Sequence, residues 1–126
     1  MKIPKLYDIL WINAEPHAGE EEGGHDQQVG NTYRPVLVCS TSKYNQYGFV
    51  VGMPITSHRG HDVNNPFYKM LVPISTVNHH VSGYIIPAKI VGYDYLARHG
   101  KIVDHLDVSA IPIIKSILAN ALGLRI

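Results

Sequence analysis

Cysteine, tryptophan and phenylalanine are scarce in this chain: one Cys, one Trp and two Phe in 126 residues. A single thiol excludes an internal disulfide framework and fits a reducing compartment. That thiol, Cys39, ends the apolar run Val36-Leu37-Val38-Cys39, where it is expected to be buried and inert rather than nucleophilic. No apolar run approaches the roughly 20 residues of a membrane helix. The opening Met1-Lys2-Ile3-Pro4-Lys5 has no signal-peptide apolar stretch. These absences predict a cytoplasmic protein with no membrane contact. Basic residues are absent from 13–33, which holds Glu15, Glu20, Glu21, Glu22 and Asp26, five of the ten acidic residues. From residue 27 onward nine Lys or Arg face four Asp or Glu, a balance of +5 within a net charge of +1. A mildly basic body with one acidic loop follows, a weak attraction for phosphate at most.

Hydrophobic residues make up 45 % and are spread along the chain, enough for one modest core and a single domain over 1–126. Leu6–Ile12 is rich in β-branched and aromatic residues and predicts a strand. Residues 13–33 contain Gly19, Gly23, Gly24 and Gly30 and predict a long loop, of the kind that is often functional. Pro35–Ser40 and Phe49–Ile55 predict a hairpin around the turn residues Asn45-Gln46-Tyr47-Gly48. Tyr68–Ile74 and Gly83–Val91 predict two more strands, Asp94–Arg98 one helical turn, and Lys101–Val103 a short strand. The end of the chain predicts a helix with Ser109 as N-cap, Pro112 in the first turn and Gly123 just past its end. Ile111, Ile114, Ile117, Leu118 and Ala121 would form its apolar face. Short strands with a terminal helix point to a compact β-barrel or bent sheet.

Three segments, in order, carry a resemblance. Tyr7-Asp8-Ile9-Leu10-Trp11-Ile12-Asn13-Ala14-Glu15-Pro16 resembles a Gly-Asp-Ile-x-Trp-Val-x-x-x-Pro start. Arg34-Pro35-Val36-Leu37-Val38-Cys39-Ser40 resembles an Arg-Pro-Val-Leu-Val-x-Ser strand. Val51-Gly52-Met53-Pro54-Ile55-Thr56-Ser57 resembles a strand ending in Pro-x-Thr-Ser. Gly92–Arg98 is a fainter match to an Ile-Asp-x-x-Ala-Arg segment. Together they are similar to the MazF/PemK toxins. The resemblance implies a mostly β fold with peripheral helices, an SH3-like barrel of about five to seven strands with a C-terminal helix. It also implies a homodimer, metal-independent cleavage of single-stranded RNA at short sequences, and a cognate antitoxin whose tail occupies the RNA groove. No cofactor is implied. The CcdB toxins share the barrel but bind DNA gyrase and catalyse nothing, so fold alone does not fix the chemistry.

Cleaving RNA without metal requires a base for the 2′-hydroxyl, a charge opposite the phosphorane and an acid for the 5′-oxygen. Arg34, where the long loop meets a buried strand, offers a rigid fork of donors for phosphate oxygens, and the resemblance assigns it to catalysis. Thr56, with Ser57 beside it, ends a strand and offers a hydroxyl to a phosphate oxygen. His25 is the acid/base candidate. Gly24-His25-Asp26-Gln27-Gln28 resembles the Gly-His-Glu-Gln-Gln loop of the PemK branch, while Glu20-Glu21-Glu22 fits the same position in a second alignment. Both stay open. Some PemK-branch members carry Arg-x-Asp-Gln on the later strand. Ile86-Pro87-Ala88-Lys89 stands there in this chain, with neither Arg nor Asp.

A groove lined by Arg34, Arg59, Lys69 and Lys89 would bind phosphate through charge, even in a non-catalytic RNA-binding module. Tyr44, Tyr47, Phe67 and Tyr68 are candidates to stack bases, though strand packing is their commoner use. His58, His61 and the pair His79-His80 lack the thiolate or carboxylate partners of a structural zinc site, so no metal is expected. Residues 13–33, acidic and next to Arg34, are expected to gate the RNA groove.

Overall fold

The structure, a computed structural model, describes residues 2–13, 33–56 and 71–125. Seven strands follow one another: β1 (Asp8–Asn13), β2 (Tyr33–Val38), β3 (Phe49–Thr56), β4 (Val72–Ile74), β5 (Gly83–Ile85), β6 (Val91–Asp94) and β7 (Lys101–His105). A short helix α1 (Ser42–Asn45) lies between β2 and β3, and α2 (Ile111–Leu122) ends the fold. The sheet runs β4-β5-β3-β2-β1-β7, all antiparallel, with β6 added to β3.

The two edges of this sheet meet. Thr76, just after β4, bridges to Leu106, just after β7. The Val77 N–H donates to the His105 carbonyl at 2.9 Å, and the Asp107 N–H donates to the Ser75 carbonyl at 3.0 Å. The sheet therefore curls on itself, which removes two open edges. Asp104 clamps this seam. Its buried carboxylate accepts the backbone N–H groups of Asn78 (3.1 Å) and His80 (3.0 Å) and the Asn78 amide (3.2 Å).

Both faces of the sheet are covered. Ile9, Leu37, Met53, Ile55, Ile74, Ile85 and Leu106 form one core, into which α2 inserts the fully buried Ile114. Leu10, Ile12, Val36, Val38, Val50, Tyr93 and Tyr95 form a second. Burial on both sides explains why β1 and β2 read as continuous apolar runs rather than alternating ones. Gly52 permits the close approach of β2: a Cβ there would meet the Val36 side chain at 2.4 Å and the Leu37 carbonyl at 2.9 Å.

Four sequence expectations need correction. The single strand expected over Gly83–Val91 is two strands on the same edge of β3. β5 pairs with Ile55 and Thr56, β6 with Phe49–Gly52. Pro87, which has no N–H to donate, falls in the turn between them, and the Lys89 N–H closes that turn on the Ile86 carbonyl. The expected turn at Asn45–Gly48 begins as a helix, because the Thr41 hydroxyl caps Tyr44 N–H and Asn45 is pulled in to bond the Pro4 and Ser40 carbonyls. Gly48, at φ +99°, ends the turn. At the C-terminal helix Ser109 is not the cap. Asp107 accepts both its N–H and its hydroxyl at 3.0 Å and opens a 3₁₀ turn that leads into α2. Ala121 is exposed and Ala119 is buried instead. Pro112 in the first turn and Gly123 in the left-handed region at the end are as expected. The expected Tyr68–Ile74 strand is present as Val72–Ile74, and its start lies outside the described residues.

Candidate active site

Arg34 lies near the start of β2, one residue past the Asn13↔Tyr33 pair that ends the β1–β2 ladder. Its side chain is half-buried and donates from Nη1 to the Tyr33 carbonyl at 2.9 Å. Thr56 is the last residue of β3, buried and paired with Tyr84 of β5. The β2–β3 ladder is bonded at Val36↔Pro54, Leu37↔Met53 and Val38↔Gly52. Carried two residues further along both strands, that register sets Arg34 opposite Thr56. Both then share the sheet face of Val36 and Pro54, because strand side chains alternate with a period of two. Beyond Val36↔Pro54, the last bonded pair, this extension places the two residues, 22 positions apart in the chain, at opposed strand positions.

A residue passed over in the sequence joins this end of the sheet. Arg98 donates from Nη1 to the Asn13 carbonyl at 3.0 Å, while its own carbonyl accepts the Asn13 N–H at 2.9 Å. Its guanidinium lies 5.9 Å from the centre of the Tyr93 ring. A second cation is thus tied to the strand that pairs with β2. The signal in the sequence was its Ala97-Arg98 match. Trp11 and Tyr33, 6.4 Å apart with planes 7° from parallel, stack at the same end. Trp11 is 40 % exposed, so this pair offers a flat aromatic surface that the list of Tyr44, Tyr47, Phe67 and Tyr68 did not contain. Tyr44 and Tyr47 stand on and after α1, half-exposed and exposed respectively.

The other candidates fall into two groups. His25, Ser57, Arg59, Lys69, Phe67, Tyr68, His58, His61 and the loop body 14–32 lie outside the described residues. Lys89 is buried, in the turn between β5 and β6 beside β3. It is not an open surface cation. Cys39 packs against the first core, and burial pushes its thiol up to about 12, against a smaller lowering effect of the Met53 backbone hydrogen bond. A thiol that stays protonated is no nucleophile. His79 and His80 serve the turn that Asp104 holds. Among the described residues no three His, Cys, Asp or Glu side chains gather as a metal site, and no helix is long and apolar enough to cross a membrane.

Residues 5–122 match the family described as PemK-like, MazF-like toxin of type II toxin–antitoxin system. The chain belongs to this toxin family. Its members are toxins of type II toxin–antitoxin systems whose known activity is that of an endoribonuclease. No curated protein sequence matches it. Among solved structures, the toxin resembles MazF (Form-I) of Deinococcus radiodurans with 25 % identity and a TM-score of 0.73, covering 98 % of this chain and 100 % of that one. A MazE–MazF structure (Form-III) from the same organism has 22 % identity and a TM-score of 0.68, with the same coverage. An endoribonuclease in complex with its cognate antitoxin, from a mycobacterial species, has 17 % identity and a TM-score of 0.62, covering 100 % of this chain and 99 % of that one. At these lower identities the likeness concerns the fold, a curled antiparallel barrel with a C-terminal helix.

Gly83 gives the toxin's Arg34–Thr56 pair a testable support. A Cβ at Gly83 would stand 2.5 Å from the Thr56 carbonyl and 3.1 Å from the Ile55 side chain. Gly83→Ala is therefore expected to shift the end of β3 and to lower RNA cleavage roughly tenfold, since sub-ångström misplacement of a reacting group is costly. Gly92→Ala, whose Cβ would meet nothing within 4 Å, is the control. Equal cleavage rates for both variants would separate Thr56 from the chemistry.

Proposed function

We propose that the toxin cuts single-stranded RNA without a metal, through Arg34, Thr56 and His25. The register of β2 and β3, which would oppose Arg34 to Thr56 if carried two residues past Val36↔Pro54, supports this reading. The 2′-hydroxyl attacks the adjacent phosphorus and loses its proton, and the 5′-oxygen leaves as it gains one. The products are a 2′,3′-cyclic phosphate and a 5′-hydroxyl. The Arg34 guanidinium neutralises charge on the non-bridging oxygens, and the Thr56 hydroxyl donates to one of them. His25 moves the protons, with Glu20–Glu22 as the competing group in the same loop. Ser57, Arg59, Lys69 and Arg98 bind flanking phosphates, and Lys89 adds its charge from within the fold. The toxin works in the cytoplasm as a homodimer of single-domain chains. The cognate antitoxin covers the same groove.

The decisive experiment incubates purified toxin with a long single-stranded RNA in EDTA and maps the ends. Cuts at one recurring short sequence, with 5′-hydroxyl and 2′,3′-cyclic phosphate ends, are expected. Intact RNA, random degradation, or cleavage only after a divalent metal is added would overturn the mechanism.

A further inference from the structure

On the far side of β1 from β2, along the β1–β7 edge, lies a cavity of about 440 Å³. Its walls carry Lys2, Lys5 and Lys101, together with Asp8 and His105. Asp8 is four residues along β1 from Ile12, the register partner of Arg34. At about 3.3 Å per residue that puts Asp8 roughly 13 Å along the strand from Ile12, and the cavity lies on the β7 side of β1 while Arg34 lies on its β2 side, although Lys101 at the cavity's other end pairs with Trp11. The inference below does not rest on the assignment of Arg34 and Thr56.

The cavity is built from a buried acid, an oriented imidazole and three cations. Asp8 is 3 % exposed. Its Oδ2 accepts the Lys5 backbone N–H at 2.8 Å, and its Oδ1 accepts from His105 Nδ1 across the β1–β7 ladder. A carboxylate accepts only, so this bond keeps the hydrogen on Nδ1 and leaves Nε2 for whatever enters the cavity. The His105 side chain is 54 % exposed, and its Nε2 bonds to nothing among the described residues. Lys2, Lys5 and Lys101 are exposed, and their ammonium groups have no carboxylate partner among the described residues. Three cations thus surround one carboxylate whose charge is already shared with an imidazole. Asp104, next in the chain to His105, cannot offset them, because it is committed to Asn78 and His80. Asp107, two residues beyond, is committed to Ser109. The volume falls within the range of small-ligand pockets.

We infer that this cavity is a second anion site that binds a phosphate group, with the three lysines as counter-charges and His105 Nε2 as the directed contact. The phosphate belongs either to a free nucleotide or to RNA backbone away from the cut. A merely structural Asp8–His105 pair would tie β1 to β7 equally well but would not respond to phosphate.

The test uses the full chain labelled at histidine and follows the His105 ring signals by NMR. Inorganic phosphate is titrated first, then adenosine monophosphate, then an all-2′-deoxy oligonucleotide that cannot be cut. A saturable shift of the His105 signals with phosphate and the mononucleotide is expected. The variant Lys2→Ala/Lys5→Ala/Lys101→Ala, surface changes that leave Tm unaltered, is expected to weaken binding about tenfold or more. A lysine-dependent shift with the oligonucleotide as well assigns the site to the RNA strand, and one with the mononucleotide alone assigns it to free nucleotide. No saturable shift of His105, or the same shift in the triple variant, would overturn the proposal.

Discussion

Replacing Arg34 with alanine is expected to slow RNA cleavage by about 10²–10³-fold, the usual loss when one preorganised donor to a developing oxyanion is removed. Arg34 is half-buried at the start of β2 and donates to the neighbouring Tyr33 carbonyl. The fold is held elsewhere, by the cores around Leu37 and Val36. Tm is therefore expected to change little, and the variant should still bind antitoxin. Arg34→Lys is expected to recover only a small part of the rate, because a single ammonium cannot span two phosphate oxygens. The measurement is a single-turnover rate on a short RNA, paired with growth arrest in cells. A fully toxic Arg34→Ala would remove RNA cleavage as the cause of arrest and turn attention to a bound protein target, as in gyrase-binding toxins of the same barrel. RNA bound with a steep salt dependence but recovered intact would identify a binding module instead.

Asp104→Asn is expected to lower stability by about 2–3 kcal/mol, through the loss of a charged acceptor shared by several donors. The amide keeps one acceptor oxygen, and its NH₂ group then faces either the His80 N–H at the Oδ2 position or the Asn78 and His105 N–H groups at the Oδ1 position. The seam between the β4 and β7 edges opens first, so amide exchange should rise at Val77 and Leu106 before the cores respond. The effect has a signed pH dependence. Burial raises the Asp104 pKa, but hydrogen bonds from Thr76, His105, Asn78 and His80 outweigh it and hold the carboxyl well below its ordinary value of 3.8. The unfolded chain then takes up the proton more readily than the folded one. This stabilisation is complete above the ordinary carboxylate value and drains as pH falls below it. The gap between native and Asp104→Asn in urea melts should be widest near neutral pH and shrink below about pH 4. A gap that stays constant from neutral pH to pH 3 would show that the charge contributes nothing.

Much of the architecture was legible because it depends on local chemistry. The runs at 8–12, 35–38 and 49–55 are β-branched and apolar enough to be strands whatever packs on them. The Pro112 and Gly123 punctuation fixed the last helix to within a residue or two. The errors came where a distant partner decided. Gly83–Val91 looks continuous in sequence, yet β3 takes its two halves at different places and the chain must step between them at Pro87. Ser109 has the chemistry of an N-cap, but Asp107, anchored to Ser75 across the seam, lies ahead of it and takes its N–H.

The candidate site divides in the same way. The sequence by itself determined the residue types: an arginine ahead of a buried strand, a threonine at the end of another, and one thiol set in apolar surroundings. These are properties of neighbours in the chain, and they were enough to carry the family resemblance. Only the tertiary structure decided which of them meet. Antiparallel pairing of β2 with β3 brings the strand ends that carry Arg34 and Thr56 to one end of the sheet, pairing of β1 with β7 sets Asp8 against His105, and the closing seam withdraws Asp104 from solvent. Strand register is fixed by which apolar faces can be buried together, a condition satisfied across the whole sheet at once, and no single segment contains it.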